Sequence, residues 1–144
     1  MTNRLPEDFL TRLAADCPDA IVYANIAGSI CFWNAAATRI FGFSEQEALG
    51  ERLELIIPER LRGRHWQGYD HIMGGAESRY AAGALLAVPA LHKNGRQISV
   101  EFTILPLRDS AGALIGIAAF PRDATARFEE IRALRRELAA LKGG

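Results

Sequence analysis

The 144-residue chain sets 17 Lys and Arg against 17 Asp and Glu, and this zero net charge gives no overall pull toward nucleic acid or an anionic membrane surface. Hydrophobic residues make up 49% and charged residues 24%, the mix of a globular domain, and the length suits one domain burying about 68–70% of its unfolded surface. The N-terminal MTNRLPEDFLTRLAADC breaks its apolar residues with acids, unlike a secretory signal, and no run nears the roughly 18 apolar residues of a membrane span, so a cytoplasmic location is expected.

Residues 6–16, PEDFLTRLAAD, place Phe9, Leu10 and Leu13 at helical spacing behind Pro6, which predicts a short amphipathic helix. Residues 19–34 give two β-rich runs around a turn at 25–29, a hairpin. Cys31 lies in the apolar run SICFWN and is expected to be a buried, reduced thiol; Cys17 and Cys31 together make neither a disulfide framework nor a CxxC clip. NAAATRIFGF, 34–43, reads as a short helix stopped near Gly42. Ser44 and Glu47 then form a capping box for a second, with Gly50 as its stop. Pro58 opens the segment that contains RHWQGYDHIM, and Gly74-Gly75 closes it.

Residues 83–123 read as three strands, with turns at Lys93-Asn94-Gly95 and at 109–112. Ile98, Val100, Phe102 and Ile104 alternate with Ser99, Glu101 and Thr103, so one face of that strand is buried and the other wet. Pro89 and Pro121 mark edge positions or strand ends. From 124 onward Ile131, Leu134, Leu138 and Leu141 form a short heptad seam among Glu, Arg and Lys, too brief to be stable alone, which calls for a partner. The organisation expected is an N-terminal helical cap (1–17), a core (18–123) and a C-terminal signalling and dimerisation helix (124–144). The fold class is α+β: a five-stranded antiparallel sheet with short helices on one face, an N-terminal amphipathic helix and a coiled-coil-like C-terminal helix.

On the quoted RHWQGYDHIM segment, Leu61, His65, Tyr69, Ile72 and Met73 share one helical stripe, whereas His71 turns toward Gln67, Asp70 and water. The spacing of six between the histidines excludes the paired ligands of a zinc helix. An imidazole on an apolar stripe is either satisfied by a neighbour or free to ligate. No GxSxG, GxxxxGK[ST], HExxH or GxGxxG occurs, and no acid–base pair stands out, so no enzyme is expected; nor is there an aromatic-interleaved nucleic-acid platform. Trp33 and Trp66 read chiefly as core packing.

Several motifs recur in a telling order. Asp19-Ala20-Ile21 opens the first strand, Ile30-Cys31-Phe32-Trp33-Asn34-Ala35-Ala36 leads into a helix, and Gly42-Phe43-Ser44 and Glu47-Ala48-Leu49-Gly50 follow. Ile57-Pro58, His65 with Gly68, Lys93-Asn94-Gly95 and Arg122-Asp123-Ala124-Thr125 complete the series. Together they resemble the PAS sensory family across about residues 15–126. The resemblance implies a sheet cupping a ligand pocket, with signal leaving through a helix after the last strand, and Arg122, Asp123 and Thr125 as the relay.

Within that family His65 is similar to the proximal histidine of the haem-binding oxygen-sensor PAS domains, which implies haem b with His65 on the iron and Tyr69, Leu86, Phe102 and Ile104 around it. Where those sensors place a distal arginine, this chain has Leu85 or Leu86, which implies a weak or unusual oxygen binder; Tyr80 is a candidate hydroxyl. Arg60, Arg62 and Arg64 either meet propionates or form a solvated face salt-bridged to Glu59. The light-sensing relatives carry a cysteine where this chain has Leu53, so no flavin adduct forms; non-covalent FAD or FMN stays open, with Trp33 and Asn34 near the pocket mouth. The expected function is a sensor of a diatomic gas or redox state that acts as a homodimer on a downstream signalling partner, with no nucleic-acid or membrane contact. The alternatives are a cofactor-free or small-metabolite-binding dimerisation module and a flavin redox sensor.

Overall fold

The computed structural model describes residues 3–73 and 84–143. Helix α1 (Phe9–Ala15) is followed by strands β1 (Val22–Asn25) and β2 (Ile30–Trp33), then helices α2 (Ala35–Phe41) and α3 (Glu45–Ala48). Two 3₁₀ turns, Leu53–Ile56 and Glu59–Leu61, lead into α4 (Arg62–Met73). Strands β3 (Leu86–Leu91), β4 (Gln97–Arg108) and β5 (Leu114–Asp123) precede α5 (Thr125–Gly143). The five strands make one antiparallel sheet in the order β2-β1-β5-β4-β3, so the first and last strands of the core pair and close it.

Local chemistry accounts for each joint. The β1–β2 turn is held by the Asn25 side chain, which accepts from Ser29 N at 3.0 Å, and by Gly28 at φ +84°. Asp109 accepts from Ala111 N and Ala113 N, both at 2.9 Å, to build the β4–β5 turn. Ser44 and Glu47 form the capping box, at 3.1 and 2.9 Å, and the chain leaves α3 at Leu49 through Gly50 in the left-handed region. Asn34 caps α2 through Ala37 N and also donates to Ala14 O and Asp19 O, so one amide ties the N-terminal segment to the sheet.

The prolines sit where the ladder can spare a donor. Pro89 lies in edge strand β3, and Pro121 lies beyond Ala119, the last β5 residue paired with β1. Trp33, Phe41, Ile30 and Ile98 are the largest fully buried side chains, and Trp33 Nε1 is satisfied by Thr38 Oγ1 at 3.0 Å and Phe43 O at 3.1 Å.

Two expectations need correction. Cys31 is exposed, because β2 is an edge strand and Ile30 and Trp33, not Cys31, turn into the core. Helix α1 forms, but it buries none of its residues and leaves Leu10 and Leu13 to solvent. Trp66 packs against the core as expected, half-buried at its edge: it lies on Gly28 and under the Arg52 guanidinium at 4.3 Å, and donates to Glu54 Oε1 at 2.8 Å. The Gly74-Gly75 closure lies outside the described residues.

Candidate functional site

Sheet register builds the concave wall. Direct partners point to the same face, and the pairs Leu86↔Phe102, Phe102↔Pro121, Ile104↔Ala119 and Ala24↔Ile117 all line one cavity. Helix α4 and the 3₁₀ turns form the opposite wall, and the space between is about 530 Å³, within the ~300–1,000 Å³ of small-molecule and cofactor sites. The lining is overwhelmingly apolar. Leu53 stands in it as an unreactive side chain, and of Leu85 and Leu86 it is Leu86 that lines it, Leu85 being exposed.

The α4 stripe falls as its spacing demands. Leu61, His65, Tyr69 and Ile72 all line the cavity, whereas Asp70 and His71 are exposed. His65 is the one imidazole on the wall, and among the described residues its Nδ1 is the single buried side-chain nitrogen or oxygen with no hydrogen-bond partner. Burial pushes its pKa below the ordinary histidine value, with the Glu54 carboxylate acting in the opposite sense, which favours the neutral ring. No three His, Cys, Asp or Glu side chains gather into a metal cage among the described residues.

Tyr69 faces the cavity with its ring and the sheet with its hydroxyl. Its ring lines the cavity, but its hydroxyl donates to the carbonyls of Asn25 and Ala24 at the end of β1, and burial raises its pKa to about 12. It therefore fastens α4 to the sheet and has no free proton to offer a ligand. Its ring stacks edge-on to Trp66 and tilted to His65, with centroids 5.6 and 5.9 Å away. The three arginines also separate. Arg60 donates to Gln97 Oε1, Arg62 to the carbonyls of Ile57 and Glu54, and Arg64 alone reaches the cavity lining; none forms the expected pair with Glu59 among the described residues.

Trp33 and Asn34 do not stand at this cavity's mouth: Trp33 is sealed against Phe41, and Asn34 is occupied as a cap. Tyr80 lies outside the described residues. The β5 residues Ile117, Ala119 and Pro121 also line the cavity; their period-two spacing was a usable signal, blurred by the run of small residues in LIGIAAF.

At the exit of the sheet, Asp123 Oδ1 accepts from Thr125 N at 2.9 Å and Thr125 Oγ1 at 2.6 Å, while Ser99 N donates to Thr125 Oγ1 at 3.0 Å. Arg122 pairs with Asp19 at 3.1 Å on the surface. Buried Glu101 pairs with Arg127 in the first turn of α5. Strand β4 thus carries Phe102 and Ile104 on the cavity side and Ser99 and Glu101 on the side that holds α5. No described helix is long and apolar enough to cross a membrane.

Comparison with known proteins places this architecture. The chain is 34% identical over 82% of its length to an uncharacterized protein of Azorhizobium caulinodans, 37% identical over 43% to the sensor protein FixL of Bradyrhizobium diazoefficiens, and 25% identical over 83% to the oxygen sensor protein DosP of Escherichia coli. It spans only 16%, 12% and 15% of those proteins. The structure of an RNA-binding light-oxygen-voltage receptor superposes with a TM-score of 0.73 over 96% of this chain and 40% of that one; at 21% identity this bears on the fold alone. The model of the PAS fold matches residues 15–129, and the chain belongs to the PAS family of sensory domains.

Proposed function

We propose that this PAS domain senses through haem b, which His65 would hold in the α4–sheet cavity by its iron, and signals through α5. The observation that carries the reading is the stranded, neutral imidazole. A histidine holds haem iron through one nitrogen of its neutral ring; burial on the apolar cavity wall favours that form of His65, and no hydrogen bond from the chain engages Nδ1, so the imidazole is not tied down by a neighbour. The apolar cavity and the similarity to FixL and to the oxygen sensor DosP point the same way.

The residues divide the work. His65 ligates, Arg64 at the cavity lining is placed to meet an anionic substituent, and Leu86, Phe102 and Ile104 exclude water. Bound haem would supply an iron that takes up a diatomic gas or changes its redox state. None of the three ceiling residues donates a hydrogen bond, so dioxygen, which gains most from such a donor, is disfavoured relative to carbon monoxide and nitric oxide. Displacement of the ceiling moves β4, and β4 holds the root of α5 through Ser99 and Glu101; the helix in a homodimer is the two-state element this requires.

Haem reconstitution of the purified chain tests the reading. A Soret band absent from His65→Ala of unchanged circular dichroism supports it. A colourless protein that takes up no haem identifies the cofactor-free or metabolite-binding module instead, and a yellow one with bound FAD or FMN identifies the flavin sensor.

A further inference from the structure

An acid stands behind the histidine wall. His65 lines the cavity, yet its Nδ1 is sealed from solvent and takes no hydrogen bond, so the ring turns that nitrogen into the wall and keeps its Nε2 edge for the cavity. Trp66, the next residue, stands edge-on to the imidazole with ring centroids 4.7 Å apart, and it does not line the cavity. Its indole is held on three sides. Gly28 leaves the room that a side chain would take, the Arg52 guanidinium lies over the ring at 4.3 Å, and Nε1 donates to Glu54 Oε1 at 2.8 Å. Glu54 belongs to the 3₁₀ turn whose Leu53 and Ile56 line the cavity, but it does not line it itself. Its carboxylate is thus anchored by one oxygen on the hidden side of His65, and Oε2 takes no hydrogen bond among the described residues. It is also the acid whose field reaches the imidazole.

A neutral imidazole carries one proton, and the nitrogen without it has the lone pair that binds. From this arrangement we infer that Glu54 is the positioning residue of the site: its anionic carboxylate holds the His65 proton on Nδ1 and leaves Nε2 bare toward the cavity. A neutral acceptor would satisfy the Trp66 indole equally well, so the charge acts on the histidine and the hydrogen bond to Trp66 only aims it. The ligating atom is chosen before any ligand arrives. A ligand on Nε2 then meets a ring made more basic by the anion behind it. The inference deepens the proposed function: the proton assignment stands on the bare chain, and its effect on an iron rests on that reading.

The test is a long-range proton–nitrogen correlation spectrum of the ligand-free full chain at about pH 8.5, where an ordinary histidine is neutral. The His65 signals are identified by their loss in His65→Ala. We expect the proton on Nδ1 in wild type and its transfer largely to Nε2 in Glu54→Gln. The side-chain oxygen of that variant still accepts from Trp66, so the indole signal should stay in place. On haem reconstitution the same variant should bind haem about 10–100-fold more weakly. Its iron should also show a higher reduction potential, because a less basic ligand stabilises the ferric state less.

A wild-type proton on Nε2, or a proton that stays on Nδ1 in Glu54→Gln, would overturn the inference. A wild type that takes up no haem but carries its proton on Nδ1, and loses it from there in Glu54→Gln, removes the haem reading and leaves Glu54 its role. A Soret band with a tautomer indifferent to Glu54→Gln does the reverse.

Discussion

Replacing His65 by leucine is expected to make the ligand-free protein more stable. The imidazole Nδ1 is buried with no partner, and a polar group in that position costs about 1–3 kcal/mol relative to an apolar one. Leucine fills similar space against Tyr69 and the apolar lining; because only one ring nitrogen is stranded, the gain belongs in the lower part of that range, about 1–2 kcal/mol. For a domain of this length the melting temperature rises by roughly 3–8 °C. The pH dependence adds a second signature. The folded-state pKa of His65 is depressed by burial, so as pH falls below its ordinary value of about 6.5 the unfolded chain takes up the proton first. Wild type therefore loses stability through that window, down to the folded pKa, and the advantage of the leucine variant widens as pH drops. Urea unfolding of both ligand-free proteins between pH 7.5 and 5, as round working values, measures this. A leucine variant less stable than wild type by about 1 kcal/mol or more, or a difference flat across the window, would mean that the imidazole serves the fold.

Other consequences follow from the joints around the cavity. Gly28→Ala meets both a left-handed backbone and the Trp66 ring, so a loss of about 2–4 kcal/mol is expected in urea unfolding; Gly50→Ala, left-handed but in open space, should lose only about 1–2 kcal/mol. Tyr69→Phe removes the hydroxyl that fastens α4 to β1 and should cost about 1–2 kcal/mol, with faster amide exchange at 25–29 and an unaltered cavity. Asn34→Ala loses a helix cap, the bonds donated to Ala14 O and Asp19 O and the one accepted from Ile21 N, for about 2–3 kcal/mol, and proteolysis should open first near residues 14–19.

Much of the fold was legible because local signals agree with the tertiary result. The capping box at Ser44 and Glu47, the Asn-Gly turn at 94–95 and the alternation of Ile98, Val100, Phe102 and Ile104 are each set by neighbours in sequence. The α4 stripe was legible for the same reason: one face of a helix has to meet the core. What was not legible depended on partners distant in the chain. Cys31 sits in an apolar run, yet edge position and strand phase turn it to water. The Tyr69 hydroxyl finds its acceptors at Asn25 and Ala24, more than forty residues away, and the division of labour among Arg60, Arg62 and Arg64 depends on Gln97 and on the 3₁₀ turns.

The most direct measurement is a side-by-side haem titration of wild type and His65→Ala, each with and without added imidazole. Wild type should saturate at one haem per chain with a sharp Soret band, the variant should lose it, and free imidazole should restore it by occupying the vacated coordination position. Equal saturation of the two proteins, or no binding by either, would contradict the assignment of His65 as the ligand.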